Sequence, residues 1–477
     1  MRFDCLSDWL AWQERLHHTS VDLGLARISK VAGKLGLTRV PFPVISVAGT
    51  NGKGSCVALL TSIFEQAGYR VGAYTSPHLL RYNERVRIEG HEASDAALIQ
   101  AFDEIEGKRG NITLTYFEFG TLAAMILFCR AELDLVVLEV GMGGRYDAVN
   151  IFDADVALVT AIGIDHVDWL GHDRASIGRE KAGIYRTGRP AICGDPNPPA
   201  SVEEYARSIG ATWYCAGRDF NHHVVTHHPR SMRQHRECLG SGEASPQWRW
   251  EGRAGTIGQN LPEPALPGKH QLQNAAAVLM AVELLRNRLP VSENALHRGL
   301  TAVRLPGRFQ VFSGKDGITR ILDVAHNPQA AQALARMLRD CPCEGRTLAV
   351  VAMLEDKDIE AVLRAMWMPI SGATSTPQNN RQQRIGFTEE NNRRKLACAA
   401  LVDVWYAAGL DVPRGGTAEM IVAAMSRMST KTHVHSAATV ADAYNAALQT
   451  ARSGDRIVVF GSFHTVGEGL RLLHKLA

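Results

Sequence analysis

Val44-Ile45-Ser46-Val47-Ala48-Gly49-Thr50-Asn51-Gly52-Lys53-Gly54-Ser55 is a short apolar run that ends in a glycine-rich turn with one lysine and one serine. An apolar, helix-compatible segment, Cys56–Ala67, follows. Strand, loop, helix is the layout of a phosphate-binding loop. Backbone N–H groups line such a loop, and the positive end of the helix dipole faces the anion. Lys53 adds a full positive charge, and the Ser55 hydroxyl suits Mg²⁺ or a phosphate oxygen. Thr50, Asn51, Gly52 and Gly54 complete the candidate nucleotide contacts. The spacing departs from the common rule, which puts four residues between the first glycine and the Gly-Lys pair. Here only Thr50 and Asn51 separate Gly49 from Gly52, and Gly54 separates Lys53 from Ser55. The departure points to a narrower group of ATP users.

Around this loop, 477 residues are too many for one compact domain. Hydrophobic content of 45% and charge of 21% describe an ordinary soluble globular chain. A net charge of +3 is too small to argue for nucleic acid as the main partner. The start, Met1-Arg2-Phe3-Asp4-Cys5, lacks the apolar core of a signal peptide, and no run approaches membrane-spanning length. A cytoplasmic location without a membrane partner is therefore expected. The nine cysteines are scattered, with one close pair in Cys341-Pro342-Cys343, and suit reduced thiols better than a disulfide framework.

The first part of the chain alternates apolar strands (Val44–Ala48, Arg70–Thr75, Leu133–Val140, Ala154–Ile162) with helix patterns such as Phe117–Cys129 and Ser176–Ile184. That alternation predicts a mostly parallel sheet covered by helices. Leu305-Pro306-Gly307-Arg308 looks like a hinge, and a second alternation follows, with strands near Ile318–Val324, Thr347–Met353 and Arg456–Phe460. The expected architecture is α/β throughout. An ATP-binding domain over residues 1–303 has a P-loop-like, mostly parallel sheet, and a smaller Rossmann-like α/β domain covers 304–477, with a cleft between them. Two stretches look inserted. Asn221–Trp250, with His222, His223, His227, His228 and His235, reads as a polar surface loop rather than a metal site, because it offers no fixed ligand geometry. Ser371–Lys395 is polar, has almost no apolar period, and reads as a mobile excursion.

In open α/β sheets, ligands sit beyond the carboxyl ends of the strands, so polar residues that end apolar strands carry most weight. Glu139 closes Leu135-Val136-Val137-Leu138, and Gly141-Met142-Gly143-Gly144-Arg145 follows almost at once. A lone glutamate there would be a capped strand end; with a phosphate loop upstream, the second half of an Mg-ATP site is favoured. Asp165 and His166 end the next strand in the same way, and Ser76 ends the strand after the loop helix. Ser76, Glu139 and His166 make a hard-ion site if ATP phosphates complete the shell. Lys181 lies amid apolar neighbours, where sequence physics alone stops at a salt-bridged helix lysine. Asn274 opens an apolar helix, Arg308 lies at the hinge where a guanidinium can clamp phosphates, and Asp323 and His326 lie just past a strand. Each is weak alone.

Together these residues resemble the Mur-ligase superfamily of ATP-dependent amide-bond ligases, in its folylpolyglutamate synthase branch. The resemblance runs from about Asp22 to about Val466 and includes Thr-Ser-Pro-His-Leu, Leu-Thr-Tyr-Phe-Glu, Ile-Gly-Arg-Glu-Lys-Ala-Gly-Ile, Leu-Pro-Gly-Arg-Phe-Gln, Asp-Val-Ala-His-Asn-Pro and Gly-Ser-Phe-His-Thr-Val. It implies that Thr50–Lys53 hold ATP phosphates, that Ser76, Glu139 and His166 bind Mg²⁺, and that Asn274, Arg308 and Asp323 contact ATP. It also implies that Lys181 carries a carbamate formed with CO₂, an anion able to approach a second Mg²⁺. Asp22-Leu23-Gly24 looks like the pterin element of bacterial bifunctional enzymes, with Thr115-Tyr116-Phe117-Glu118 and Tyr146-Asp147-Ala148 as the rest of the pocket. The implied substrates are dihydropteroate, reduced folates, L-glutamate and ATP, handled by a monomer. The implied chemistry is attack of the substrate carboxylate on the γ-phosphorus, then attack of the glutamate amine on the acyl phosphate, with His326 as a candidate base. One rival is a ligase of the same superfamily with another acceptor, such as a monofunctional folylpolyglutamate synthase. A rival from another class is an ATP-hydrolysing switch without ligase activity.

Overall fold

A computed structural model describes residues 2–225, 247–253, 260–367, 401–428 and 433–476. The chain folds as two compact units, Met1–Pro306 and Gly307–Ala477. The strands of the first unit's main sheet are β1 (Val44–Ala48), β2 (Val71–Tyr74), β3 (Val86–Ile88), β4 (His91–Glu92), β5 (Leu135–Glu139), β6 (Val156–Val159), β7 (Pro190–Cys193) and β8 (Thr212–Cys215). They form one 8-stranded sheet in the order β4-β3-β2-β5-β1-β6-β7-β8. From β2 to β8 every neighbour is parallel, and β3 and β4 add an antiparallel edge. β1, β2, β5 and β6 are buried along their whole length, which is why they are near-continuous apolar runs.

Two helical layers cover the sheet, and alternate side chains of each strand feed opposite layers. Val44, Val136 and Leu138 pack with α1 (Leu6–Leu16), α2 (Ala26–Lys34), α4 (Asp95–Arg109) and α5 (Tyr116–Arg130). Ile45, Val47, Leu135 and Val137 pack on the other face with α3 (Lys53–Gln66), α9 (His270–Leu285) and α10 (Glu293–Ala302). Between these come α6 (Val167–Leu170), α7 (Arg174–Ala182) and α8 (Ala200–Ser208).

The register aligns the strand ends. Val47 pairs with Glu139 on one side of β1, Ala48 with Val159 on the other, and Tyr74 with Leu138. Gly49, Ser76, Glu139 and Thr160 therefore leave the sheet at one edge. The connection from β1 runs towards β2 and that from β6 towards β7, in opposite directions, which makes this edge a topological switch point.

The expectation for Asn221–Trp250 needs correction at its ends. β9 (Asn221–Val224), β10 (Gln247–Glu251) and β11 (Leu261–Pro262) form a 3-stranded antiparallel sheet. Trp248 and Trp250 are fully buried, and their indole N–H groups donate to Pro262 O at 2.8 Å and Ala276 O at 2.9 Å. The period-2 pattern Gln-Trp-Arg-Trp-Glu is short and sits in a charged stretch, so the charge masked it. His222 and His223 lie on β9, with His222 opposite Trp250. His227, His228 and His235 lie outside the described residues, as does Ser371–Lys395.

The second unit is a 6-stranded sheet in the order β12-β13-β17-β14-β15-β16. Its strands are β12 (Gln310–Ser313), β13 (Thr319–Asp323), β14 (Thr347–Val351), β15 (Val404–Ala408), β16 (His433–Ala437) and β17 (Arg456–Phe460). β12 is antiparallel to β13 and the rest are parallel. Asp323 pairs with Phe460, so the segments 323–327 and 461–465 emerge side by side.

Candidate active site

The chain turns sharply after β1 because Gly49 and Gly52 have φ of 149° and 94°. Four contacts of two threonines pin this loop. Thr160 Oγ1 donates to Asn51 O at 2.7 Å, Thr50 N–H donates to Ala161 O at 2.8 Å, and Thr50 Oγ1 lies 3.0 Å from both the N and the O of Gly163. Lys53, the first residue of α3, donates to Gly49 O at 3.0 Å and Thr50 O at 3.3 Å. Its ammonium therefore lies over the loop where phosphate charge is expected. A Cβ at position 52 would lie 2.6 Å from Asn274 Oδ1. Asn274 donates to Gln271 Oε1 at 2.9 Å, and Gln271 donates to Ser55 Oγ at 3.3 Å. Asn274, more than two hundred residues from the loop, thus shares its setting with Gly52 and Ser55.

At the neighbouring strand ends, the buried Glu139 accepts the Ser76 N–H at 3.1 Å. Carboxylate and hydroxyl oxygens are donors that suit a hard divalent cation. His166 precedes α6 in a left-handed conformation, φ 52°, and its N–H is held by Asp165 Oδ1 at 2.9 Å. The Thr50–Gly163 contacts fasten this segment to the phosphate loop.

Lys181 is buried near the end of α7. Burial and then the charge of Lys53 lower its pKa to about 7, while Asp165 and Asp147 work the other way. The glycine-rich loop after β5 packs against this helix: Arg145 N–H donates to Glu180 O at 2.9 Å, and a Cβ on Gly144 would lie 2.7 Å from Lys181 O. Asp147, expected in the substrate pocket, is buried, with both oxygens taken by backbone N–H groups of Met142 at 2.9 Å and Val149 at 3.1 Å. Burial pushes its carboxyl up to about 6. Tyr146 beside it is exposed, with Arg145 over its ring, and Ala148 is buried.

Two of the three expected acceptor segments, Asp22–Gly24 and Thr115–Glu118, lie together through Arg27. Thr115 caps α5 through the Glu118 N–H at 3.2 Å, and Glu118 Oε2 accepts the Thr115 N–H at 2.8 Å, a capping box. Glu118 Oε1 accepts from Arg27 at 3.2 Å, and the same guanidinium donates to Asp22 Oδ2 at 2.5 Å and Asp22 O at 2.8 Å. Leu23 and Gly24 follow, half-buried. Tyr116 lies beneath the Arg85 guanidinium, and Phe117 fills the space beside Gly141, where a Cβ would lie 2.8 Å from its ring. Phe117 thereby links the acceptor segments to the loop after Glu139.

In the second unit, Asp323 is buried and accepts the N–H groups of Phe309 and Ala325, each at 2.8 Å. Burial raises its pKa, and Arg308 opposes the rise. Arg308 lies over the Phe463 ring at 5.3 Å, and the His326 ring lies 6.3 Å from Phe463. His326 Nδ1 is 2.8 Å from Val324 O. Arg308, Asp323 and His326 therefore form one cluster at the sheet edge.

Sequence reasoning passed over Thr160, Gln271 and Arg27. Thr160 ends an apolar strand and could have been weighed like Glu139. Gln271 and Arg27 carry no such signal, because their partners are remote in sequence.

Family profiles match in both units: the Mur ligase middle domain over residues 47–193 and the Mur ligase glutamate ligase domain over 307–463. The Escherichia coli (strain K12) dihydrofolate synthase/folylpolyglutamate synthase is 43% identical over 469 residues, 98% of this chain and 95% of that protein. E. coli FolC in complex with DHPP and ADP has 42% identity and a TM-score of 0.81, covering 99% of this chain and 98% of that one. A bifunctional folylpolyglutamate synthase/dihydrofolate synthase solved with Mn, AMPPNP and L-glutamate has 40% identity and a TM-score of 0.79 at the same coverage. Two family profiles in series and a full-length relative carry the conclusion: the chain belongs to the Mur ligase family, in its dihydrofolate synthase/folylpolyglutamate synthase branch.

Proposed function

We propose that this chain is an ATP-dependent carboxylate–amine ligase. It joins L-glutamate to 7,8-dihydropteroate to form dihydrofolate, and it adds further glutamates to reduced folates. The observation that carries this reading is the common sheet edge at which the phosphate loop, with Lys53 over it, meets the Ser76–Glu139 pair. An acceptor region built on Asp22, Thr115 and Glu118 is linked to that edge by Phe117.

ATP phosphates lie along Thr50–Ser55, where α3 presents its N-terminal N–H groups and Lys53 its charge. Ser76, Glu139 and His166 would hold a divalent cation, which supplies charge neutralisation on the phosphates. Lys53 swings from its loop carbonyls to the phosphates and offsets charge that shifts as the acceptor carboxylate attacks the γ-phosphorus. The acyl phosphate then meets the neutral amine of glutamate, and phosphate departs. In the second unit, Arg308 and Asp323 would serve as nucleotide contacts, and His326 would take the amine proton. Lys181 works as its N-carboxylated form. Attack on CO₂ needs a neutral amine, and a pKa of about 7 leaves much of it neutral near neutral pH. An ordinary lysine would be neutral in fewer than about one molecule in a thousand there. The enzyme acts as a monomer in the cytoplasm, where ATP and glutamate are supplied; among the described residues no helix is long and apolar enough to cross a membrane.

The test is ADP release with dihydropteroate plus glutamate against tetrahydrofolate plus glutamate. Turnover with both is expected. Turnover with only the second leaves a monofunctional folylpolyglutamate synthase, and glutamate-independent hydrolysis leaves a switch.

A further inference from the structure

We infer that Arg27 is a positioning residue that sets affinity for the acceptor substrate; the inference rests on the ligase reading above. One guanidinium serves three acceptors on two segments of chain. It donates to Asp22 Oδ2 at 2.5 Å, to Asp22 O at 2.8 Å and to Glu118 Oε1 at 3.2 Å. It thus fixes both the side chain and the backbone of the Asp22–Gly24 loop, and ties them to the capping box that starts α5. His17 supports the same point, with Nε2 3.0 Å from Asp22 Oδ2 and Nδ1 2.8 Å from Thr113 Oγ1.

The placement of Arg27 is informative. It stands in the first turn of α2, which has no acidic residue. A cation there opposes the helix dipole, so α2 itself gains nothing from it. Its partners explain it: Glu118 is 3% exposed, and without the guanidinium this buried carboxylate would lose its cation. Lysine can substitute only in part: it keeps the charge, but one ammonium cannot match the planar fork of a guanidinium that serves these acceptors together. Phe117, one residue before Glu118, lies against Gly141 beside Glu139. The clamp thereby fixes the acceptor loop relative to the edge where its carboxylate reacts, without touching the nucleotide loop.

The experiment is steady-state kinetics of the full chain, as wild type, Arg27→Ala and Arg27→Lys, with ATP, Mg²⁺ and glutamate saturating and dihydropteroate varied. Loss of hydrogen bonds to charged groups predicts that KM for dihydropteroate rises about ten- to a hundredfold in Arg27→Ala. A smaller rise is expected in Arg27→Lys, with KM for ATP unchanged in both. If Arg27→Ala does not fold, Arg27→Lys carries the readout. An unchanged KM for dihydropteroate, or a fall in kcat alone, overturns the inference, because a merely structural role lowers the amount of active enzyme and leaves KM in place. The two failures are separable. A wild type that turns over neither acceptor removes the ligase reading and the inference with it, whereas an active wild type with insensitive Arg27 variants removes only the inference.

Discussion

Asn274 stands against the open face of Gly52: a carbon added there would lie 2.6 Å from its Oδ1, and Gly52 has φ of 94°. Replacement fails twice, by strain at a positive φ and by collision with a buried amide that is itself bonded to Gln271. Gly52→Ala is expected to weaken ADP binding more than about tenfold, the equivalent of about 1.4 kcal/mol. Titration calorimetry of ADP with both proteins checks it; equal affinity would remove the loop from the nucleotide site.

Lys53 and Glu139 are expected to matter to the reaction and little to the fold. Among the contacts given up by Lys53 are two to its own loop. Lys53→Ala and Glu139→Ala should abolish glutamate-dependent ADP release while keeping a cooperative melting curve. Wild-type turnover in either variant would sink the assignment.

Lys181→Ala should lose nearly all activity and recover part of it with small carboxylates added to the assay. Full activity without rescue would count against the carbamate. The same residue sets a stability slope. The ordinary lysine pKa is 10.5 and that of Lys181 is about 7, so the unfolded chain binds more protons between those values. Native stability therefore rises as pH rises through this window, and below about 7 the cost of the buried ammonium is present in full. Lys181→Met should flatten that rise in CO₂-free buffer, read from denaturant midpoints between neutral pH and pH 10.

Arg456 is the corresponding test of the second unit. It is 5% exposed, and it donates to Leu338 O at 2.7 Å, Cys341 O at 2.5 Å and Thr347 Oγ1 at 2.8 Å. It thereby caps the carbonyl end of the helix Pro328–Asp340 from β17. Arg456→Met should cost about 2–4 kcal/mol through the orphaned carbonyls. Calorimetry should show a lower melting transition for the second unit.

Local chemistry was legible in the sequence. Val44–Ala48 and Arg456–Phe460 are strands with the bounds expected, because an apolar run ended by glycine can do little else in a buried parallel sheet. The longer expected strands shrink, Leu133–Val140 to Leu135–Glu139 and Ala154–Ile162 to Val156–Val159, since pairing with β1 fixes their length. The expectation for Asn221–Trp250 failed at its ends because burial of Trp248 and Trp250 depends on α9 and β11, which no local pattern announces.

By itself, the sequence determined the phosphate loop, the alternation of strand and helix, and the polar residue at each strand end, since these follow from backbone geometry and periodicity. Only the tertiary structure decided which of those residues meet. Register brought Glu139 to Ser76, and packing brought Asn274 to Gly52. Burial, a property of the whole fold, moved Lys181 to a pKa of about 7. Arg27, which holds Asp22, reaches Glu118 across 91 positions of sequence, a distance that no local spacing rule spans.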